Sequence, residues 1–279
     1  MPVQNATITA NDYNTVQSRI NTVMNTDYGQ TLLSGQVSVG EIVTDDQLDN
    51  LRTDISKAYT HQQGSAPTIT DVDVGDTILA AHLTNYENVM ATVESNIYLI
   101  GSGQFSVEPG ISSPRTSAWN GTLEHRVLIS YGSELAKTQF FKAGGEVRFT
   151  ASQSGGSSSI NVDWRTMLAN MGTIKMNYTQ TTATGSGTGS SIGQQDLTGS
   201  YQTIFQKTGS GPYAANDYIV QARNQTGAIQ VRIYFQDDKG GNPDENVTGT
   251  TTSNVQHLRA SGSNVSLPAP AYTNQATLQ

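Results

Sequence analysis

The 279-residue chain contains no cysteine, which excludes thiol catalysis, thiolate-bound zinc, iron–sulfur clusters and a disulfide scaffold. It has only four histidines, and no two of them lie close together in the sequence. Charged residues make up 14% of the chain, and no run of about 20 apolar residues predicts a transmembrane helix. The first residues, Met1–Asn5, have neither a basic patch nor an apolar segment, so we expect no signal peptide.

Neutral polar residues are abundant instead. Serine, threonine, asparagine and glutamine provide 104 of the 279 residues, so we expect a polar and largely uncharged surface. The formal net charge of −8 argues against nucleic-acid binding by the whole chain. This composition favours a structural protein of a particle or surface over an enzyme. We therefore predict no cofactor and no membrane partner.

Charge and glycine divide the chain into two regions. Residues 1–110 carry 13 acidic and 3 basic residues, whereas residues 111–279 carry 10 and 12. Only 5 of the 27 glycines lie in the first hundred residues. The join falls in the glycine- and proline-containing segment 101–114. The predicted limits are 1–105 for an acidic helical region that docks or oligomerises, 115–262 for a β domain, and 263–279 for an extended C-terminal arm.

Apolar residues recur at helical spacing in three stretches of the first region. We expect Asn11 or Asp12 to cap the first helix, the capping-box pair Thr44 and Gln47 to cap the second, and Asp76 to cap the third. The sequence leaves open whether the apolar stripes pack on one another or on a partner chain. We predict an assembly interface on the second and third helices, made of Leu48, Leu51, Ile55, Tyr59, Leu83, Tyr86, Met90 and Val93.

Alternating apolar residues predict strands in the second region, bounded by clusters of Gly, Asn, Asp and Ser. Trp164–Asn170 is expected to form a short helix, and the Thr/Ser/Gly-rich tract 179–200 a long loop. The overall prediction is an α+β protein, with N-terminal helices followed by a jelly-roll-like antiparallel β-sandwich. The predicted strands lie at 127–131, 147–151, 174–178, 218–222 and 229–235.

Ion sites are weakly indicated, and we predict no bound metal. His82 has no second histidine or carboxylate four residues on, which favours an ordinary surface or interface imidazole. The acidic loop 237–245 places carboxylates on a glycine-rich turn, as calcium sites do, but Lys239 intrudes and a solvated hairpin tip is the alternative. Asp71 and Asp73 point the same way in an extended segment, but we favour a capped entry to the third helix as their role.

No motif for nucleophilic catalysis or phosphate binding is present, and we predict no enzymatic activity. A glycosidase needs two carboxylates about 5–10 Å apart, and one sequence cannot pair the available ones. Aromatic residues of the second region allow a carbohydrate contact, for which Tyr201 and Tyr213 are the candidates. The carboxylates considered for hydrolysis are Glu124, Glu134, Glu146 and Asp163.

One segment carries a resemblance to a known group of proteins. Thr138–Ser152 has two adjacent aromatics, Phe140 and Phe141, then Gly144-Gly145, an acid and a short alternating strand. This segment resembles a stretch of virion structural proteins of tailed bacteriophages, notably contractile-tailed phages of marine cyanobacteria. Residues 244–255 and 40–64 are similar to other parts of the same proteins. We expect the Phe140–Phe141 pair on an extended segment or at a bend, before a strand from Glu146.

The resemblance implies a structural component of a virion, synthesised in the host cytoplasm and placed at the neck, tail, fibre or capsid. It implies a homo-oligomer whose partners are other virion proteins, and it supplies no catalytic residues. The alternative function is an adhesin module of the same particle that binds a host-surface glycan.

Overall fold

The computed structural model describes residues 8–72, 78–240 and 245–279. The described chain is an α+β protein in which helices come first and two antiparallel five-stranded sheets follow, which confirms the predicted fold class. The chain divides into two compact units. The helical unit comprises Met1–Ser106, Lys142–Gly144 and Arg259–Pro268, and the β unit comprises Val107–Phe141, Gly145–Leu258 and Ala269–Gln279.

Apolar burial explains why two short later segments belong to the helical unit. Ala143 from the first segment is buried in the core of this unit. Ala260, Val265 and Leu267 from the second segment are buried there too. The predicted limit at 262 therefore lies within a segment that contributes to the helical core.

Three helices build the described part of the helical unit, and their apolar stripes pack on one another. The first is extended by a π-helical segment, so that buried residues continue past the end of the regular helix. The core includes the fully buried rings of Tyr13, Tyr28 and Tyr86. The bounds are Ala10–Asn21 for α1, Thr22–Asp27 for the π-helical segment, Asp45–Gln63 for α2 and Ala80–Ser95 for α3.

Capping boxes begin the first two helices. The predicted pair on α2 is confirmed: the Gln47 N–H donates to Thr44 Oγ1 at 3.3 Å, and the Thr44 N–H donates to Gln47 Oε1 at 2.9 Å. On α1 the cap is Thr9 rather than Asn11 or Asp12. Asp12 is the third-position partner, and its Oδ2 accepts the Thr9 N–H at 2.9 Å, so the prediction placed the cap too late.

The residue at the N-cap position of the third helix is Leu79. Asp76 lies outside the described residues, as does Asp73. In the described first turn of α3, the Leu79 N–H donates to His82 Nδ1 at 3.3 Å. His82 therefore satisfies a backbone donor at the helix start, which fits the ordinary surface imidazole expected of it.

Two sheets form the β unit, and the five strands predicted from alternation are all present. In the first sheet the strand order is β1-β9-β3-β4-β5, and in the second it is β10-β2-β8-β7-β6. The strands are Phe105–Arg115 (β1), Gly121–Ser130 (β2), Glu146–Ser154 (β3), Ile174–Met176 (β4), Thr181–Ala183 (β5), Gln202–Thr208 (β6), Asp217–Gln225 (β7), Ala228–Asp237 (β8), Thr250–Ala260 (β9) and Ala271–Ala276 (β10).

The inward faces of both sheets share one apolar core with a helix, α5 (Ser159–Met171), which confirms the helix predicted at Trp164–Asn170. The Trp164 ring is fully buried, with its centroid 5.3 Å from the Trp119 ring and 5.9 Å from the Phe235 ring. These ring contacts hold α5 against the core, and the opposite face of the helix is exposed.

A second helix, α4 (Glu134–Lys142), was not predicted. The expectation of an extended segment or bend at Phe140 and Phe141 was wrong, because both rings lie on the last turns of this helix, 5.1 Å apart and buried. Local chemistry explains the helix: the Ala136 N–H donates to Ser133 Oγ at 3.0 Å in the first turn. The Lys137 ammonium lies 2.8 Å from Glu134 Oε2 at helical spacing.

Strands also occupy segments predicted to be irregular. The join at 101–114 is mostly β1, despite its prolines, which an edge strand tolerates. The C-terminal stretch 263–279 is extended and contains β10, which pairs with β2 in the register Tyr272 to Ile129. The tract 179–200 is mainly loop, with the short strand β5 and a 3₁₀ turn at Gln194–Asp196.

Candidate functional site

The residues predicted to form the assembly interface lie in the core of the helical unit. All except Tyr59 have no exposed surface, and Tyr59 is partly buried against the same core. Side chains in this position contact their own unit and leave no surface for a partner, so the prediction is corrected: the stripes bury one another. The buried seven are Leu48, Leu51, Ile55, Leu83, Tyr86, Met90 and Val93.

The rings of the two tyrosines predicted to contact a sugar lie against cationic side chains of the same chain. The Arg232 guanidinium lies 3.7 Å from the Tyr201 ring centroid, and the Tyr201 hydroxyl donates to Gln230 Oε1 at 2.6 Å. Tyr213 is only 8% exposed, and the Lys239 ammonium lies 5.4 Å from its ring centroid. Neither ring is free to stack on a sugar in this arrangement.

A different apolar surface stands out on the helical unit. In the turn at residues 38–42, which we call the Val39 turn, Val39 is 94% exposed and Ile42 is 86% exposed. Their outer neighbours Val37 and Val43 are buried. Two large aliphatic side chains within four residues therefore project from a segment whose two ends are fixed in the core.

Hydrogen bonds within the turn give it a defined shape. The Glu41 N–H donates to the Ser38 carbonyl at 3.0 Å, and the Ser38 N–H donates to the Glu41 carboxylate at 3.1 Å. Gly40 takes φ +92°, a conformation that side-chain-bearing residues rarely adopt. The turn therefore presents its two aliphatic side chains from a closed backbone, at low entropic cost for binding.

Two polar side chains hold the segment that leads into the turn. Asn14 on α1 bonds both backbone groups of Val37: it accepts the N–H at 2.8 Å and donates to the carbonyl at 2.7 Å. Asp54 on α2 is fully buried, and its Oδ2 accepts the N–H groups of Leu33 at 2.9 Å and Ser34 at 2.8 Å. Side chains on helices thus replace the backbone ladder that a strand or helix would provide.

Replacing Asn14 with alanine should loosen the Val39 turn without unfolding the unit. The two lost hydrogen bonds predict a stability loss of about 1–3 kcal/mol and much faster hydrogen exchange at the Val37 amide. Exchange measured by NMR checks this, with Thr31→Ala as a control because Thr31 is exposed in the same connecting segment. Unchanged exchange at Val37 in the Asn14 variant would show that the anchor is unimportant.

Two buried histidines of the β unit contact the strand β10. His125 lies between Ser253 Oγ at 2.9 Å and Asn274 Oδ1 at 2.8 Å. His257 Nδ1 lies 3.0 Å from the Tyr272 hydroxyl. Burial lowers the pKa of His125, which favours its neutral form. The arrangement joins strands of the two sheets through polar side chains, and no spacing in the sequence indicated it.

Three of the four carboxylates considered for hydrolysis form ion pairs. Glu124 lies 2.6 Å from Arg126, Glu134 pairs with Lys137, and Glu146 lies 2.7 Å from Arg148. Each pair uses the carboxylate to balance a neighbouring cation. Asp163 differs, because its hydrogen bonds are to the backbone N–H and the hydroxyl of Ser210.

Within residues 8–72, 78–240 and 245–279, no group of three or more His, Asp or Glu side chains is placed to hold a metal ion. Of the predicted acidic clusters, Asp71 pairs with Arg52 at 3.0 Å, and residues 241–244 of the loop 237–245 lie outside the described chain. No described helix is long and apolar enough to cross a membrane. Comparison with protein-family models, curated proteins and solved structures finds no match.

Proposed function

We propose that this chain is a non-enzymatic structural component of a tailed bacteriophage particle, at the neck, tail, fibre or capsid, and that it acts by multivalent protein–protein assembly. The observation that supports assembly most strongly is the Val39 turn, with two aliphatic side chains exposed on an anchored backbone. The resemblance of Thr138–Ser152 to phage virion proteins supports the particle. The alternative glycan-binding function gains nothing from Tyr201 and Tyr213, whose rings are occupied.

The chemistry of the turn indicates what the partner surface contains. Burying a valine or isoleucine side chain stabilises a complex by about 1.5–3 kcal/mol, so an apolar recess for Val39 and Ile42 is the main requirement. Residues 1–110 carry 13 acidic against 3 basic residues, so a basic rim around that recess favours encounter. Repetition of the contact in a symmetric particle makes a modest single interface sufficient.

Replacing Val39 and Ile42 together with aspartate should abolish assembly. The lost burial and the added negative charge predict a dissociation constant raised at least about a hundredfold. Light scattering of the purified chain measures this directly. Leu135→Asp is the matched control, because Leu135 is a 59% exposed leucine on α4, away from the turn in sequence. If the double variant assembles as the wild type does, the Val39 turn is not the assembly surface.

A further inference from the structure

Three arginines lie together on the outer face of the second sheet. Side chains alternate along β2, β7 and β8, so one set enters the apolar core and the other points away from it. Arg126, Arg223 and Arg232 belong to the outward set. Arg126 is the direct cross-strand neighbour of Arg232, and Arg223 on β7 is the diagonal neighbour of Arg232. The sheet register therefore gathers three guanidinium groups in one place.

The carboxylate beside these arginines does not balance their charge. Glu124 lies 2.6 Å from Arg126 and 3.6 Å from Arg232, so the two cations share it. Arg223 donates instead to the neutral side chain of Gln230 at 2.6 Å. The side chains of Arg126 and Arg232 are 32% and 29% exposed. Like charges on neighbouring strands repel each other, so an acidic partner that approaches this group lowers its energy.

An apolar pair lies next to the arginines. Ile219 on β7 and Tyr234 on β8 are direct cross-strand neighbours, and both are partly exposed. Tyr234 lies two residues from Arg232, on the same face of β8. Asp217, a second carboxylate of this face, lies beyond the pair at the start of β7, where Gln206 donates to it at 3.0 Å. We call this surface the arginine face; it consists of Arg126, Ile219, Arg223, Arg232 and Tyr234.

The Val39 turn has the complementary composition. Its two exposed aliphatic side chains flank Glu41, which is exposed as well. Asp46 is exposed in the first turn of α2, four residues after Ile42. Aliphatic side chains beside carboxylates match an apolar pair beside guanidinium groups. In such a contact apolar burial supplies most of the affinity, and the opposite charges orient and speed the encounter.

From this complementarity we propose that the arginine face of one copy is the surface that receives the Val39 turn of a second copy. The two aliphatic side chains of the turn pack on the Ile219–Tyr234 pair, and the guanidinium groups lie beside the acidic residues next to the turn. Turn and face are different surfaces, so the contact is heterologous, and its repetition closes into a ring when the rotation between copies permits. This inference rests on the proposed assembly function and names its partner.

Reversing two charges of the arginine face tests the proposal. Arg223→Glu combined with Arg232→Glu should raise the dissociation constant of assembly at least about tenfold, as measured by light scattering. Arg165→Glu combined with Lys175→Glu is the matched control, because it makes the same charge change on α5 and β4 and should assemble as the wild type does. If the arginine-face variant assembles as the wild type does, the inference fails and assembly through the Val39 turn stands. A monomeric wild-type chain would instead contradict self-assembly itself, and this inference with it.

Mixing two defective variants separates a heterologous contact from a self-complementary one. The arginine-face variant keeps an intact Val39 turn, and the Val39→Asp, Ile42→Asp variant keeps an intact arginine face. Each alone should be monomeric, but together they should form a one-to-one dimer that cannot grow further. A mixture that stays monomeric at concentrations where the wild type assembles would overturn the proposal.

Salt provides a test that needs no variant. Raising sodium chloride from about 0.1 M to about 1 M shortens the Debye length from about 10 Å to about 3 Å, so charges on two copies attract each other less. We expect the dissociation constant of the wild-type assembly to rise at least about fivefold over this range. A dissociation constant that stays the same or falls would contradict a contact between arginines and acidic residues.

Discussion

Replacing Asp54 with alanine should destabilise the helical unit by about 3–5 kcal/mol, the largest effect we expect from any single substitution. The carboxylate is fully buried, and Oδ2 accepts three donors: the Leu33 N–H, the Ser34 N–H and the Ser34 hydroxyl at 2.8 Å. Hydrogen bonds to a charged acceptor are stronger than neutral ones, and their loss leaves buried N–H groups unpaired. Domains are stable by only about 5–15 kcal/mol, so this loss is a large part of the stability of the unit.

Urea unfolding followed by far-ultraviolet circular dichroism measures the loss. Asp46→Ala is the matched control, because Asp46 is an exposed carboxylate in the first turn of the same helix. It should cost no more than about 1 kcal/mol through the helix dipole. A stability loss of the same size in both variants would mean that Asp54 contributes charge to the helix and does not anchor residues 33 and 34.

Acidification should also destabilise the helical unit, because of His61. This histidine is fully buried on α2, with its ring 5.0 Å from the Tyr28 ring and its Nε2 donating to the Ala143 carbonyl at 3.1 Å. Its Nδ1 is buried and has no hydrogen-bond partner among the described residues. Burial lowers the pKa of His61 from 6.5 to about 4, an effect that the contact with the Ala143 carbonyl opposes in part.

The direction of the pH effect follows from the protonation of His61 in the folded and in the unfolded chain. Above pH 6.5 His61 is neutral in both the folded and the unfolded chain, so its contribution is constant. Between pH 6.5 and about 4 only the unfolded chain binds the proton, so stability falls as the pH falls. The total loss from this residue is about 3 kcal/mol, and it levels off below the folded-state pKa.

Unfolding free energies measured from pH 7 to pH 4 check this expectation. His61→Gln removes the titrating group while keeping a donor for the Ala143 carbonyl, so its stability should depend less on pH by about 3 kcal/mol over the range. His82→Gln is the control, because His82 is a partly exposed histidine of the same unit. If the two variants show the same pH dependence, His61 does not titrate as its burial requires.

Secondary-structure elements that neighbouring residues determine were predicted correctly from the sequence. The α2 capping box was identified because Thr44 and Gln47 lie three residues apart before an apolar stripe. The five strands were identified because their side chains alternate. Where two local signals compete, the prediction failed: Phe140 and Phe141 beside a Gly-Gly pair indicated an extended segment, but Ser133 and the Glu134–Lys137 pair start a helix.

The Val39 turn could not be predicted, because its sequence does not distinguish the buried valines from the exposed one. Val37 and Val39 alternate as they would in a strand. Val37 is the buried one because Asn14, 23 residues earlier, binds its backbone. The predicted interface failed for the related reason that the apolar stripes of α2 and α3 found partners within their own unit. Exposure is decided by the packed structure, and composition alone does not determine it.

The surroundings of Asp163 depend even more on the fold. Asp163 was noted only as one carboxylate among four, and nothing near it in sequence marks it as different. Lys207 and Gly209 lie more than forty residues further along, and only the packing of α5 beside β6 brings these residues to one cavity. That Asp163 Oδ2 accepts no hydrogen bond from the described residues is likewise a property of its three-dimensional surroundings.

The mass of the purified wild-type chain in solution tests the central claim, assembly through exposed surface, most directly. Light scattering across a range of protein concentrations should show an oligomer with a defined number of copies, which dissociates on dilution and is lost in the Val39→Asp, Ile42→Asp variant. A folded chain that stays monomeric at every concentration would contradict the claim that it assembles with itself.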